Sequence, residues 1–362
     1  MKKFLKIAVL AVILAICMVG LIACNDGDAG NGKVGLQYKV LPGDDYYTVT
    51  KYYAKEGEPT LDIGDFNKDG VVIGRIMSGA FDGNSTLTEL VIPDSVTKID
   101  AGALKGMQKL QKLTIPFVGE TAISEPTLNY IDSTEKSIGM ARTFGNLFGS
   151  EKQNYNIKVT QKYNEGTSTQ DYYVPISLTE VTISPKENYN IPMFAFSGNT
   201  VLAKINLSDK VIGIGENAFE DCTALTSLTN VAKVKKIYKN AFKGAKKFDI
   251  DLTTFVDLRE VCDNAFENSG ITNVVMNSNV MFGNRVFKNS NVKTASVNVE
   301  MLPYGTFYGC VKLETVAFNG TISVESYALA NLHQTKTVAL TGITSSAFVD
   351  TTVTDNSIVS FN

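Results

Sequence analysis

The feature that most constrains how this sequence can fold is a motif that recurs ten times along the chain. In each copy an apolar residue is followed five places later by Phe or Leu, and the residue just before that Phe or Leu is usually Ala. The ten pairs are Ile76/Phe81, Ile99/Leu104, Ile191/Phe196, Ile214/Phe219, Ile237/Phe242, Val261/Phe266, Phe282/Phe287, Leu302/Phe307, Val324/Leu329 and Ile343/Phe348. Apart from one long interruption, successive Phe or Leu positions lie 19 to 24 residues apart. A unit of that size cannot bury its own apolar face, so neighbouring units must stack as the turns of a solenoid.

Each unit also carries an alternation of apolar and polar residues that predicts a short β-strand. Apolar residues recur six, nine and eleven places after the Phe or Leu, and this phase slips by one residue in two units. In the first unit, Leu90 and Ile92 are predicted to face the core, and Glu89 and Val91 to face outward. The same logic predicts that the Phe positions form a buried column rather than a slot for an apolar ligand.

The spacing AF-x5-LxxLxI-P-x-S-V-x-x-I, carried by residues 80–99, resembles the BspA-like leucine-rich repeats of bacterial surface proteins. The resemblance extends over roughly residues 71–349 and weakens in the last units, where Leu329 replaces Phe and Thr335 takes the place of Leu313. It implies a β-rich solenoid, a leucine-rich-repeat array of about ten units of roughly 23 residues with an N-terminal β cap and one inserted hairpin region. It also implies an exported protein associated with adhesion and with the binding of host or matrix proteins.

The first 23 residues have the composition of a secretory leader. Residues 1–6 contain three lysines, and residues 7–23 form an uncharged run that is short for a membrane-spanning helix. The run ends in Leu21-Ile22-Ala23-Cys24, which resembles the bacterial lipobox, in which a lipid is attached to the cysteine and the chain is cut just before it. The resemblance implies a signal peptide over residues 1–23, lipid attachment at Cys24 and a flexible tether over residues 24–33. The alternative is an ordinary leader with an incidental cysteine.

The repeat pattern divides the rest of the chain into segments. We predict an N-terminal cap over residues 34–70, repeats over 71–117, an insertion over 118–173, repeats over 174–350 and a C-terminal tail over 351–362. The insertion contains Phe144, Leu147 and Phe148, which suggest a decayed unit, and two alternating segments that predict a hairpin. Long insertions on a rigid scaffold often carry function. We expect that removing residues 155–172 leaves the repeats stable, because this segment supplies few repeat-core residues.

Composition excludes several kinds of functional site. His333 is the only histidine, which excludes a multi-histidine zinc site, and its place in the repeat is a solvent-facing turn. The formal net charge of −3 does not favour a nucleic acid partner. Cys222 and Cys310 lie four units apart, too far to form a disulfide, and Cys262 occupies a different place in its unit, so buried thiols are predicted. We therefore expect a protein that is not an enzyme and that uses no cofactor.

One segment has part of the spacing of a calcium loop. Asp65, Asn67 and Asp69 offer oxygen ligands at alternate places, and Gly70 follows them. Ile76 stands where a bidentate acid belongs, and the repeat requires that residue in the core. A polar turn leading into the first unit accounts better for these residues, and calcium binding stays open.

The outward face of the predicted strands is the usual binding surface of a solenoid. The residues at the tenth place of each unit are small and weakly polar, with Ala317 and Ala339 at the end of the column, and they include no aromatic ladder for stacking sugars or bases. The candidate binding residues are Thr114, Thr182, Asn206 and Thr229 in this column, Tyr155, Tyr163 and Tyr172 in the insertion, and Lys235, Lys239 and Lys243 in the one basic stretch.

Together these patterns predict a repeat protein of the cell envelope, lipid-anchored to a membrane, surface-exposed or extracytoplasmic. We expect it to bind a protein ligand at the cell surface or in the extracellular matrix, and to bind no nucleic acid. The alternative is a structural or glycan-binding envelope protein that uses the lysine stretch or the insertion tyrosines. The lysines are also compatible with a merely solvated face.

The mature protein is expected to begin at Cys24 and to partition with membranes, because the leader and the lipobox agree. Mass spectrometry of the native N-terminus should detect an acylated Cys24, and Cys24→Ser should shift the protein to the soluble fraction. A wild-type protein that is soluble and carries no lipid would contradict this prediction.

Overall fold

A computed structural model describes residues 34–123, 140–163, 166–321, 323–333 and 336–362. The predicted signal peptide, the tether and Cys24 lie outside these residues. The described chain is a β-solenoid of about 13 turns of roughly 23 residues, so the predicted fold class is confirmed. The cap, the insertion and the C-terminal tail each add a turn to the ten that the motif predicts. Within the described ranges, no helix is long and apolar enough to cross a membrane.

Short strands and single 3-10 turns build the solenoid. The strands are β1 (Gly35–Val40), β2 (Tyr47–Tyr53), β3 (Thr60–Asp62), β4 (Ile73–Ile76), β5 (Glu89–Val91), β6 (Lys98–Ile99), β7 (Lys112–Ile115), β8 (Asn156–Tyr163), β9 (Ser168–Pro175), β10 (Glu180–Ile183), β11 (Tyr189–Ile191), β12 (Lys204–Leu207), β13 (Val211–Ile214), β14 (Ser227–Thr229), β15 (Lys236–Ile237), β16 (Glu260–Val261), β17 (Asn273–Met276), β18 (Met281–Phe282), β19 (Thr294–Val297), β20 (Met301–Leu302), β21 (Thr315–Phe318), β22 (Ser323–Val324), β23 (Val338–Thr341) and β24 (Val359–Phe361). The 3-10 helices span Ile63–Phe66, Phe144–Leu147, Val231–Lys233, Leu252–Thr254, Ser345–Ala347 and Thr351–Thr354.

Two parallel sheets run along the solenoid on different sides of the core. Sheet one has a first block in the order β14-β12-β10-β7-β5-β3 and a second block in the order β17-β19-β21-β23-β24. The turn between the two blocks carries the 3-10 helix Leu252–Thr254 in place of a strand. Sheet two comprises β1-β2-β4-β6, then β11-β13-β15-β16-β18, then β20-β22. Its pairs are parallel except that β1 pairs antiparallel with β2 at the N-terminal end.

A column of stacked aromatic rings forms the third side of the core. Every Phe or Leu from Phe81 to Leu329 in the repeat motif is at most 1% exposed, whereas Phe348 in the last copy is only partly buried. From Phe196 to Phe307 the ring centroids of successive turns lie 5.1 to 5.8 Å apart, with interplanar angles of 2° to 21°. This spacing is close to the strand separation of about 4.8 Å, so rings from neighbouring turns touch face to face. The predicted buried column is confirmed.

From Phe81 to Leu329, each copy of the motif has two left-handed residues, one placed two residues before the Phe or Leu and one placed two residues after it. Around Phe219 they are Asn217 and Asp221, with φ of 53° and 57°. Around Phe242 they are Asn240 and Gly244, with φ of 56° and 73°. Asn, Asp and Gly adopt this conformation at little cost, because their side chains are absent or short and polar. The repeat therefore uses these residue types at fixed places on both sides of its Phe.

The insertion contributes one turn of the solenoid and one hairpin that packs against the turns. The Phe144 backbone N–H donates to the carbonyl of Ala195 at 2.8 Å, and the Leu104 N–H donates to the carbonyl of Leu147 at 2.8 Å. The Phe144 ring lies 5.0 Å from that of Phe196, which continues the ring column. The segment that suggested a decayed unit thus fills the place of a turn. Strands β8 and β9 pair antiparallel as a separate two-stranded sheet.

One expected register is wrong. The motif places Ala339 directly after Ala317 in the outward column of sheet one. In the structure Ala339 pairs with Thr315, and Thr341 pairs with Ala317. The physical reason is that Ala339 lies ten residues after Leu329, whereas Thr315, with which it pairs, lies eight residues after Phe307. The inward and outward residues of β23 are therefore shifted by two places relative to those of β21.

Phe219→Ala is expected to lower the free energy of unfolding by about 3 to 5 kcal/mol, because it empties a place in a column where rings contact it on both sides. Thr229→Ala, on the outer face of sheet one, is the control and is expected to cost less than about 0.5 kcal/mol. Denaturant-induced unfolding measures both. Equal losses in the two variants would contradict the placement of the ring in the core.

Candidate binding surfaces

The four sheet-one candidates form one continuous row across neighbouring strands. Thr114 pairs with Thr182, Thr182 pairs with Asn206, and Asn206 pairs with Thr229. All four side chains are half-buried on the outward face. The row follows directly from the strand period of two, which sends alternate residues outward, and from the parallel register between turns.

The side chains of this row hydrogen-bond to one another. The amide of Asn206 donates to Thr182 Oγ1 at 3.3 Å and to Glu180 Oε1 at 2.7 Å. The hydroxyl of Thr229 donates to Asn206 Oδ1 at 2.7 Å. These bonds join Thr182, Asn206 and Thr229, so this part of the row is held in one arrangement. Such a surface suits broad contact rather than the capture of a small molecule in a pocket.

A ladder of alternating charges borders this row. Glu89, Lys112, Glu180 and Lys204 occupy paired places on four successive strands of sheet one. Lys204 Nζ lies 3.2 Å from Glu180 Oε1. Burial raises the pKa of Glu180, but hydrogen bonds from Asn206 and Lys204 outweigh it, so the pKa of this carboxyl lies below its ordinary value. The alternation leaves this edge of sheet one without a field of one sign.

The lysine stretch is interleaved with carboxylates. Lys233 pairs with Asp257 at 3.2 Å, and Lys236 pairs with Glu260 at 2.7 Å. Lys243, one of the three lysine candidates, lies 3.5 Å from Glu267. Each acid stands 24 residues after its lysine, so it lies beside that lysine on the next turn. The other two candidates, Lys235 and Lys239, are exposed.

The insertion tyrosines do not form a common surface. Tyr172 is 2% exposed, so its placement on a binding surface is corrected: its ring packs against the backbone of Gly145 in the inserted turn. Tyr155 and Tyr163 are half-buried. Burial and the nearby carboxylate of Asp82 raise the pKa of Tyr155. The face on which Tyr172 falls could not be read from the sequence, because the hairpin stands outside the repeat and has no period that marks its inner side.

The hairpin is held against the repeats by buried hydrogen bonds and by an ion pair. Gln161 is fully buried; its Nε2 donates to the carbonyl of Ala195 at 3.0 Å, and its Oε1 accepts from the Gly145 N–H. Lys162 Nζ lies 2.9 Å from Glu220 Oε2 on a repeat turn. The expectation that residues 155–172 could be removed without loss of stability is therefore wrong, because their removal would leave buried backbone groups unpaired.

The cysteine and calcium candidates have structural surroundings. Cys222 and Cys310 are buried free thiols, and Cys262 is a half-buried one. Burial raises the pKa of Cys310 to about 12, which disfavours the reactive thiolate. Asn67 Oδ1 accepts from the Ile73 N–H at 2.8 Å, so its side chain closes the turn that leads into the first unit. Among the described residues, no group of three or more His, Cys, Asp or Glu side chains could hold a metal ion.

One cluster of surface side chains was not predicted from the sequence. The guanidinium carbon of Arg285 lies 4.7 Å from the ring centroid of Tyr304. Tyr327 meets Tyr304 at 5.7 Å and 71°, and meets Tyr308 at 6.4 Å and 63°. We call these four residues the tyrosine–arginine cluster. Its signal in the sequence is a break in one column: two residues before the Phe or Leu, where most turns carry Asn or Gly, these two turns carry Arg285 and Tyr327.

A family described as the BspA type leucine rich repeat region matches residues 73–165, 168–293 and 260–361, with six copies. No curated protein matches the chain. A leucine-rich repeat protein from Bacteroides ovatus aligns at 17% identity with a TM-score of 0.42, over 83% of this chain and 75% of that one.

Two further solved structures align over most of both chains. A leucine rich cell surface protein from Faecalibacterium prausnitzii has 16% identity and a TM-score of 0.30, over 93% of this chain and 96% of that one. The pneumococcal vaccine antigen PcpA has 16% identity and a TM-score of 0.33, over 92% of this chain and 98% of that one.

Gln161→Ala is expected to lower the free energy of unfolding by about 1 to 3 kcal/mol for each buried backbone group that it leaves unpaired. Gln170→Ala is the matched control: Gln170 pairs with Gln161 across the hairpin but is only half-buried, and we expect a loss below about 1 kcal/mol. Urea unfolding of both variants tests this. A loss for Gln170→Ala as large as that for Gln161→Ala would show that the hairpin is not fastened through Gln161.

Proposed function

Since this chain belongs to the BspA type leucine-rich repeat family, we propose that it is a cell-surface repeat protein that binds another protein non-covalently. A stack of turns in which each contacts only its neighbours gives a long, stiff scaffold. Such a scaffold can present many side chains in fixed relative positions, which favours recognition of a broad surface.

The observation that carries this proposal is the continuous outward row of sheet one. Thr114, Thr182, Asn206 and Thr229 are aligned by strand pairing and joined in part by side-chain hydrogen bonds. A row already ordered in the free protein loses little side-chain entropy when a partner covers it. The charged ladder at its edge would orient that partner, because opposite charges favour one register over others.

We propose that the protein acts at the cell envelope, anchored to a membrane through a lipid on Cys24. This part of the proposal rests on the sequence of the leader, since the residues concerned lie outside the described structure. Binding rather than catalysis is favoured because burial raises the pKa of the buried thiols above the range in which thiolates form readily.

A glycan-binding or structural envelope protein is the rival proposal. Its support was the lysine stretch and the insertion tyrosines. Lys243 is paired with Glu267, and Tyr172 lies in the core, so both features offer less to an anionic or saccharide polymer than the sequence suggested. Protein binding through sheet one therefore has the better support.

The proposal is tested by measuring binding of the purified chain to a panel of matrix proteins and to a glycan array. Thr182→Lys combined with Thr229→Lys inserts two bulky charges into the row and is expected to weaken binding to a matrix protein at least tenfold, about 1.4 kcal/mol. Ser323→Lys, on β22 of sheet two, is the control and should bind like the wild type. Binding to glycans alone, or an unchanged affinity of the double variant, would contradict the proposal.

A further inference from the structure

Two bulky residues, Arg285 and Tyr327, occupy a backbone position at which most turns carry Asn or Gly. Two residues before their Phe or Leu, Arg285 and Tyr327 have φ of 55° and 59°. Asn217, Asn240 and Asn264 hold the same place in earlier turns, with φ of 53° to 56°. The left-handed region costs free energy for a bulky side chain, because Cβ approaches the following carbonyl oxygen. A residue with such a backbone conformation is expected to have a side chain with a structural or functional role that offsets the strain.

A third outlier in the same column is explained by packing. Phe194 has φ of 56°, but it is 5% exposed, and its ring lies against Gly166 in the loop of the hairpin. Its side chain therefore seals the contact between the hairpin and the repeats. Arg285 is exposed and Tyr327 only half-buried, so neither has a comparable role in the core.

What Arg285 and Tyr327 build instead is the tyrosine–arginine cluster. The Arg285 guanidinium stacks on Tyr304, and Tyr327 fits edge-on between Tyr304 and Tyr308. The amide of Asn331 donates to the hydroxyl of Tyr308, which fixes that ring. Three successive turns thus supply one guanidinium and three rings that hold each other in place at the surface. Tyr and Arg are the residue types most enriched among the strongest contacts of protein interfaces.

A surface depression adjoins the cluster. It has a volume of about 490 Å³ and is lined in part by Tyr308, Val311 and Asn331. Val311 is 53% exposed, so an apolar side chain of a partner would find an apolar contact there. A recess with an apolar wall and amide groups beside it has the composition of a site for a side chain of a partner.

Arg285 forms no ion pair with another side chain of the described residues. In the described part of the structure, no carboxylate lies within 4.0 Å of its guanidinium, whereas Lys288 in the same turn lies 3.0 Å from Glu267 Oε1. A guanidinium stacked on a ring keeps its N–H edge available for hydrogen bonds. That edge matches a carboxylate, which can accept two parallel hydrogen bonds from it.

The arrangement of the rings selects between two sources of carboxylate. An acidic saccharide chain would lie along rings that present parallel faces, but Tyr327 is tilted 71° from Tyr304 and 63° from Tyr308. A peptide can place a carboxylate on Arg285 and a separate apolar side chain in the depression. The geometry therefore favours a peptide segment.

We propose that the tyrosine–arginine cluster is a docking site for an acidic segment of a protein partner, with a carboxylate on Arg285 and an apolar side chain in the adjoining depression. This inference rests on the proposed function, because it names the site and the chemistry of the protein that is bound. It adds a contact on the turn side of the solenoid, separate from the sheet-one row.

The test uses an array of ten-residue peptides, each with one Phe and between zero and four Glu in a Gly/Ser background. Binding of the purified chain is expected to rise with the number of Glu residues. Arg285→Asn and Tyr327→Asn should each weaken binding of the four-Glu peptide at least tenfold. Both variants install the residue that other turns carry, so their melting temperatures should not fall much and that of Arg285→Asn should stay level or rise.

Lys246→Asn is the charge-matched control. Lys246 is an exposed lysine on another turn, and its replacement changes the net charge as Arg285→Asn does. We expect less than a twofold change in peptide binding for this variant. Should Tyr327→Asn fail to fold, Arg285→Asn alone still decides the question. Equal losses for Lys246→Asn and Arg285→Asn would reduce the effect to net charge and overturn the proposal.

Three other results would also overturn it: no binding of any Glu-containing peptide, unchanged binding in Arg285→Asn, or binding of polygalacturonate in preference to the peptides. Failure of this inference is separable from failure of the proposed function. If matrix proteins bind and respond to Thr182→Lys with Thr229→Lys while the peptides do not bind, only the docking site is wrong. If neither matrix proteins nor peptides bind, the proposed function fails as well.

Discussion

The structure depends on one backbone hydrogen bond that is repeated from turn to turn. The N–H groups of Phe196, Phe219 and Phe242 each donate at 2.8 Å to the carbonyl of the Ala that precedes the Phe of the next turn: Ala218, Ala241 and Ala265. This bond holds each ring one turn from the next, so the rings stack and the small Ala lets the two backbones approach. Because most turns are held in this way, equivalent residues of successive turns align in columns along the solenoid.

The columns explain how much of the fold could be predicted. The Phe column and the inward residues of sheet one recur at a regular interval in the sequence. The burial of Phe219 and Leu90 could therefore be predicted from the sequence alone. The same period aligned Thr182 with Asn206 and Thr229 on the outward face. Where the chain leaves the period, prediction fails. Tyr172 is predicted at the surface but lies in the core, because the hairpin has no repeating neighbour with which to compare it. Ala339 is predicted two residues out of register, because the last unit has two additional residues before this place in its strand.

Contacts between columns were harder to predict than the columns themselves. Lys243 reads as part of a basic stretch along the sequence, but its neighbour in space is Glu267, one turn away. The charge of a solenoid surface is therefore set by residues about one period apart, not by residues adjacent in sequence. The contacts of the hairpin were equally hard to predict. Nothing in the sequence distinguishes Gln161, but its side chain hydrogen-bonds to backbone groups of two different turns.

A repeat protein carries its own internal comparison, and this makes departures from a column informative. The left-handed place before each Phe has a low-cost solution, Asn or Gly, which most turns adopt. A turn with another residue at this place has a strained backbone, and contacts of that side chain must offset the strain. For Phe194 the reason is packing against the hairpin, which is a matter of stability. For Arg285 and Tyr327 no such packing exists in the described structure, and the side chains instead order a surface of rings and one guanidinium that forms no ion pair there. Because this strain stabilises no part of the core, we propose that it is retained for the binding surface that these side chains form.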